Sequence, residues 1–135
     1  MKKKTMTAAK VKKKAWKLFS EYIRRSNADR RGRVKCVTCG LIMHWKESQA
    51  GHFVGGRNNS VLLREDLVHP QCYRCNCCLS GNQGKYVLYM MDTYKLTRRK
   101  IDSLLNLRNS VKRMTKADWQ DEVDKWSKKL KELDD

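Results

Sequence analysis

Two cysteine pairs constrain this chain more than any other feature. Cys36-Val-Thr-Cys39 and Cys72-Tyr-Arg-Cys75 are CxxC pairs separated by about the length of one small subdomain. Each pair folds into a knuckle that presents two thiolates, and four thiolates at about 2.3 Å in a tetrahedron form a closed structural Zn²⁺ site. Gly40, directly after Cys39, lets the backbone turn tightly. Such a site contributes on the order of 10 kcal/mol of folding free energy in small domains. That staple suits a chain of 135 residues with only 40% hydrophobic and 33% charged residues, which can bury little core. One zinc per chain is expected, held by Cys36, Cys39, Cys72 and Cys75. Cys77 and Cys78 are surplus, because adjacent side chains diverge, and are expected to be small buried fillers or spectators.

Charge is the next constraint. The chain has 31 Lys and Arg against 14 Asp and Glu, a formal net charge of +17. Four thiolates and one Zn²⁺ remove two charges and leave about +15. Such an excess points to a polyanionic partner. Nucleic acid fits best, with an anionic membrane surface as the alternative. The basic residues lie in KVKKKAWK, RRSNADRRGR, TRRK and SVKRM, on both sides of the cysteine zone, as phosphate-backbone contact requires. No base-reading signature stands out, so recognition by shape and charge is expected. The basic start is followed by no apolar stretch, and the longest apolar run, YVLYMM, is too short to span a bilayer. A cytoplasmic protein with reduced thiols, and no membrane partner, is expected.

The chain reads as a single domain of three zones. Residues 1–30 form a basic helix whose Val11, Ala15, Trp16, Leu18, Phe19, Tyr22 and Ile23 lie near helical spacing. Residues 31–95 hold every Cys and His and the only Pro, in short apolar runs broken by turn residues, followed by a helix over KYVLYMMDTY. Residues 96–135 are helical. There Thr97 is an N-cap, and Ile101, Leu104, Leu105 and Val111 share one side. Thr115 with Asp118 resembles a capping box. Trp119, Val123, Trp126, Leu130 and Leu133 form a seam facing either their own domain or a second copy in a homodimer.

Between and after the knuckles lie QAGHF, with His52, and the Asn76 that directly follows Cys75. At these residues the sequence resembles the HNH, or ββα-metal, nucleases, and among them the endonuclease VII-like junction resolvases, in which Asn follows CxxC. CVTCG, AGHF, VHPQCYRCN and SGN, over about Lys35 to Tyr89, resemble the NinG/Rap family of lambdoid phages more closely still. The resemblance implies an α+β fold: a small zinc-stapled ββα-metal core flanked by N- and C-terminal helices. It implies an endonuclease acting on branched recombination intermediates in the bacterial host cytoplasm or nucleoid. His52 would be the general base, and Mg²⁺ or Mn²⁺ would be the catalytic cation, with Asn76 supplying one carbonyl oxygen. Zinc would stay out of the chemistry. Junction cleavage needs paired cuts, which favours a symmetric dimer.

Two departures accompany the likeness. Many such sites have Asp before the catalytic His, where this chain has Gly51, and Leu67 stands where Asn is usual. Gln49, on the same strand face as Gly51, offers an amide oxygen in its place. His52 has a second reading as a zinc-shell or core histidine. His69 reads equally as support for the site, a phosphate contact or a structural residue. His44 reads as a strand residue and Asn82 as a turn or cap residue. Asn76 reads either as a metal ligand or as the cap of a following helix.

Overall fold

The computed structural model describes residues 5–135; the first four residues of the basic N-terminal segment lie outside it. The architecture is α+β, as expected, with two small antiparallel sheets and four α-helices among the described residues. Helix α1 spans Ala8–Ser26; the Thr7 hydroxyl caps its start by accepting from the Lys10 N–H at 3.3 Å. Its Val11, Ala15, Phe19 and Ile23 repeat at three or four residues, so they line one face and are buried.

Strands β1 (Arg33–Lys35) and β2 (Ile42–His44) pair antiparallel around the first cysteine knuckle. Gly40 has φ +84°, the left-handed backbone that the knuckle's exit needs. Strands β3 (Gln49–His52) and β4 (Val68–Gln71) form the second sheet, with Gly51 opposite His69 and Gln49 opposite Gln71. Pro70 is tolerated in β4 because that strand pairs only with β3. The Val37 N–H donates to Pro70 O at 3.1 Å, tying the first knuckle to the second sheet.

Helix α2 (Gln83–Tyr94) follows the second knuckle, and α3 (Arg98–Leu105) begins at the expected Thr97 cap. Together they cover Phe53, Val54, Val61 and Leu67 with Tyr86, Met90, Ile101 and Leu104. Burying one such side chain fully is worth about 1.5–3 kcal/mol. Leu67 is therefore a core residue, 0% exposed, and its carbonyl accepts from the Phe53 N–H at 2.8 Å.

Helix α4 (Lys116–Leu133) starts at the expected capping box of Thr115 and Asp118. Its Trp119, Val123, Trp126 and Leu130 are buried, and Trp119 and Val123 pack with Val11 and Ala15 of α1. Phe19 meets Trp126 edge-on at 4.8 Å. The seam is thus filled by the chain's own first helix, while Leu133 at its end is partly exposed.

Two expectations are corrected. Val111 does not share the buried side of α3: the helix ends at Leu105, a 3₁₀ turn follows, and Val111 is exposed. Cys77 and Cys78 are not buried fillers, because the turn over Arg74–Cys78 points both outward. Among the described residues no helix is long and apolar enough to cross a membrane.

Candidate functional site

The four knuckle cysteines converge. The sulfurs of Cys36, Cys39, Cys72 and Cys75 all lie within 4.8 Å of one another, and Cys39 and Cys72 approach to 3.7 Å. A tetrahedral ion with sulfur at about 2.3 Å requires an edge of about 3.8 Å, so the cluster has the dimensions of a zinc site. Its electrostatics fit as well. Burial pushes the Cys36 thiol up, but the Thr38 hydroxyl at 3.3 Å and neighbouring N–H groups outweigh it and hold the thiol down at about 6. At Cys39 the Leu41 N–H favours the thiolate, yet burial and the three adjacent thiols push it up to about 12. Four thiolates cannot coexist here without a positive counter-charge, which a divalent ion supplies.

A network ties the cluster to the second sheet. Gln71, 0% exposed, donates from Nε2 to Thr38 Oγ1 at 3.1 Å and to Gly81 O at 2.9 Å. Asn82 stands at the N-cap position of α2, in the left-handed region, and its amide donates to Cys75 Sγ at 3.5 Å. Gln71 also explains why position 51 lacks a side chain. A Cβ on Gly51 would lie 1.8 Å from Gln71 Oε1. That oxygen is buried and has no hydrogen-bond partner among the described residues.

Beside this network lies a cavity of about 470 Å³ whose lining includes Trp16, Gln49, His52, Arg57, Asn76 and Cys77. Three of the expected site residues, Gln49, His52 and Asn76, therefore share one space. His52, at the end of β3, places Nε2 3.1 Å from Leu62 O, and its ring stacks on Trp16 at 5.1 Å. A carbonyl can only accept, so Nε2 carries the hydrogen and the neutral ring's lone pair sits on Nδ1. Burial lowers the His52 pKa below the usual imidazole value; the Leu62 carbonyl opposes this and the Arg57 charge adds to it. The ring is thus neutral at neutral pH.

Asn76 caps no helix. It lies inside the turn Arg74–Cys78, and its Nδ2 donates to Gln49 Oε1 at 2.6 Å. The Cys77 thiol donates to the same oxygen at 3.1 Å. Gln49 Oε1 is therefore already engaged by two donors, while Asn76 Oδ1 accepts from no protein group among the described residues. Among the described residues no carboxylate lines the cavity. A hard divalent cation ordinarily takes one or two carboxylates from its protein. The residues present do not make such a site on their own, and the donor set does not fit the Mg²⁺ or Mn²⁺ that the resemblance implies.

His69 is not brought to this cavity. It is 5% exposed, with Nδ1 2.8 Å from Tyr86 Oη and Nε2 2.7 Å from Tyr94 Oη. Tyr86 donates its own proton to Gly51 O at 2.7 Å, so His69 Nδ1 donates to Tyr86 and Nε2 accepts from Tyr94. Burial lowers the His69 pKa to about 4, with the Asp66 charge opposing. Both ring nitrogens are occupied, and the side chain braces β4 against α2. His44 ends β2, where its ring accepts from the Lys46 N–H at 3.2 Å.

Three residues at or beside the site escaped the sequence reading. Trp16 counted only as a stripe residue, Arg57 fell in an unremarkable GGR stretch, and Gln71 was overshadowed by Cys72. Only the GGR stretch carried a usable signal, a cation placed directly after two flexible residues. Compared with known proteins, the chain matches along residues 1–135 the sequence model of a family described as Bacteriophage Lambda NinG protein. No curated protein and no solved structure matches it.

Proposed function

The chain belongs to the bacteriophage lambda NinG family, and from that premise we propose that it is an endonuclease of HNH type. Its substrates are branched DNA recombination intermediates such as Holliday junctions and D-loops, in the host cytoplasm or nucleoid. The observation that carries this reading is the His52 ring, neutral and oriented by Leu62 O, in one cavity with the Asn76 amide.

In this reading His52 Nδ1 takes a proton from a water molecule as its oxygen attacks phosphorus. The bond from phosphorus to the 3′ oxygen breaks, leaving a 5′ phosphate and, once the oxygen is protonated, a 3′ hydroxyl. Asn76 positions the phosphodiester. The thiolate cluster holds the turn that carries Asn76 against the strand that carries His52, through Gln71, Thr38 and Gly81. The net charge of +17 supplies the attraction for DNA.

A second reading is a zinc-knuckle nucleic-acid-binding protein without catalysis, favoured by the lack of a carboxylate in the cavity. Full-length zinc-loaded protein incubated with a four-way junction, a flap and a linear duplex, in Mg²⁺ or Mn²⁺, separates the two. We expect junction cutting, and a loss of at least about a hundredfold in His52→Ala with zinc content and DNA binding retained. If the native protein cuts none of the three, or His52→Ala cuts at the native rate, the nuclease reading is wrong.

A further inference from the structure

We infer that Arg57, seated on the Trp16 ring, anchors a second DNA phosphate beside the scissile one, and that the strand leaves the cavity over this ridge toward Lys12 and Lys13. The inference rests on the nuclease reading only for which phosphate is scissile.

The path is visible in the shape of the surface. A second hollow, of about 500 Å³, is lined by Lys12, Lys13, Trp16 and Arg57, among others. Trp16 and Arg57 also line the His52 cavity, so the two hollows share one ridge. The Arg57 guanidinium lies 4.6 Å from the Trp16 ring centre, and the His52 ring centre lies 5.1 Å from it. Arg57 and His52 are therefore no more than about 10 Å apart, which is within three nucleotide steps at about 3.4 Å per step.

The chemistry of the ridge suits an incoming anion. A guanidinium stacked on an indole keeps its N–H edge free for in-plane, two-pronged contact with a phosphate. Among the described residues no ion pair includes Arg57, and no acidic side chain lines either hollow. Its positive field already reaches the site, because it helps lower the His52 pKa. Arg57 also has φ +49°, a left-handed conformation that is unfavourable in a non-glycine residue, directly after Gly56 at φ +90°. Strain of this kind collects at ligand-binding positions. A duplex or single strand crossing the ridge meets Arg57 first and the α1 lysines next.

The test is DNA binding to full-length, zinc-loaded protein carrying His52→Gln, which stops cutting and keeps a donor for Leu62 O. Anisotropy of a labelled four-way junction is followed over a series of KCl concentrations. Arg57→Gly keeps the left-handed backbone available, so it removes the side chain without adding strain. It should bind about tenfold more weakly, with a salt slope shallower by about 0.9 for a duplex arm or about 0.7 for a single-stranded one. Arg57→Lys should retain the slope. An Arg57→Gly protein that melts like its parent, with affinity and slope unchanged, overturns the anchor. So does a loss confined to phosphatidylserine vesicles, which would assign the ridge to a membrane. If the native protein cuts no DNA but Arg57→Gly still flattens the slope, the nuclease reading fails and the anchor stands. If the native protein cuts and the slope is unmoved, the anchor alone fails.

Discussion

Replacing Gly51 by alanine tests how the sheet, the cysteine cluster and the cavity are coupled. Gly51 does not need glycine for its backbone; it needs the space. A Cβ there would lie 1.8 Å from Gln71 Oε1, 2.6 Å from its Cδ and 2.9 Å from its Cγ, where ordinary contact begins near 3.4 Å. The amide end of a glutamine would normally swing aside at little cost. Gln71 cannot, because it is 0% exposed and its Nε2 holds both Thr38 and Gly81. Moving it forfeits two buried hydrogen bonds at about 1 kcal/mol each, and overpacking adds about 1–3 kcal/mol. Gly51→Ala should therefore cost about 3–5 kcal/mol, a fall in Tm of about 12 °C or more at roughly 4 °C per kcal/mol for this size. Gln71→Ala should itself destabilise, but adding it to Gly51→Ala should recover about 2 kcal/mol relative to the sum of the single changes. Urea denaturation of the four proteins gives that coupling. A Gly51→Ala protein melting within 2 °C of the native one on that scale, or strictly additive singles, would refute the argument. The same crowding accounts for the lack of an acidic side chain at position 51: none fits while Gln71 is present.

Two further outcomes are expected. Chelation at neutral pH should remove one zinc per chain and with it on the order of 10 kcal/mol of folding free energy; metal analysis with near-ultraviolet circular dichroism checks this, and an undiminished tertiary signal in zinc-free protein would count against the cluster. His69 should penalise the fold in acid. Its native pKa of about 4 lies below the unfolded value of 6.5, so the unfolded chain binds the extra proton and stability falls as pH drops from about 6.5 to 4. The full loss is about 3 kcal/mol. Denaturant midpoints of the native protein and His69→Gln, compared across that range, should converge toward low pH; cysteine protonation affects both and cancels. Parallel curves would contradict the assignment.

What could be read ahead of the coordinates was local. The cysteine spacing, the basic first helix, the Thr97 cap and the Thr115–Asp118 box are settled by neighbours within one turn or one knuckle, and each appears in the structure. The stripe on α1 and the seam on α4 were equally legible, but only the fold shows that each is the other's partner. His52, Asn76 and Gln49 stand out through the resemblance of their motifs to a known family, and their meeting in one cavity depends on the β3–β4 register. The misses were non-local or turned on a single bend. Cys77 and Cys78 face outward because of one unusual turn. His69 is claimed by tyrosines 17 and 25 residues away. Arg57 gains its place only once Trp16 arrives from the first helix.

The two halves of the thiol cluster sit on either side of the segment that carries β3 and the Gly55–Gly56 stretch. With an ion seated, that part of the chain is a closed ring in topology, although its backbone is linear. A protease nick between the two glycines would open the ring without separating its arms, since metal, β-pairing and the contact of the first helix with the last would still bind the pieces. The framework around the cavity could therefore be supplied as two separately made polypeptides that find each other through the metal they share.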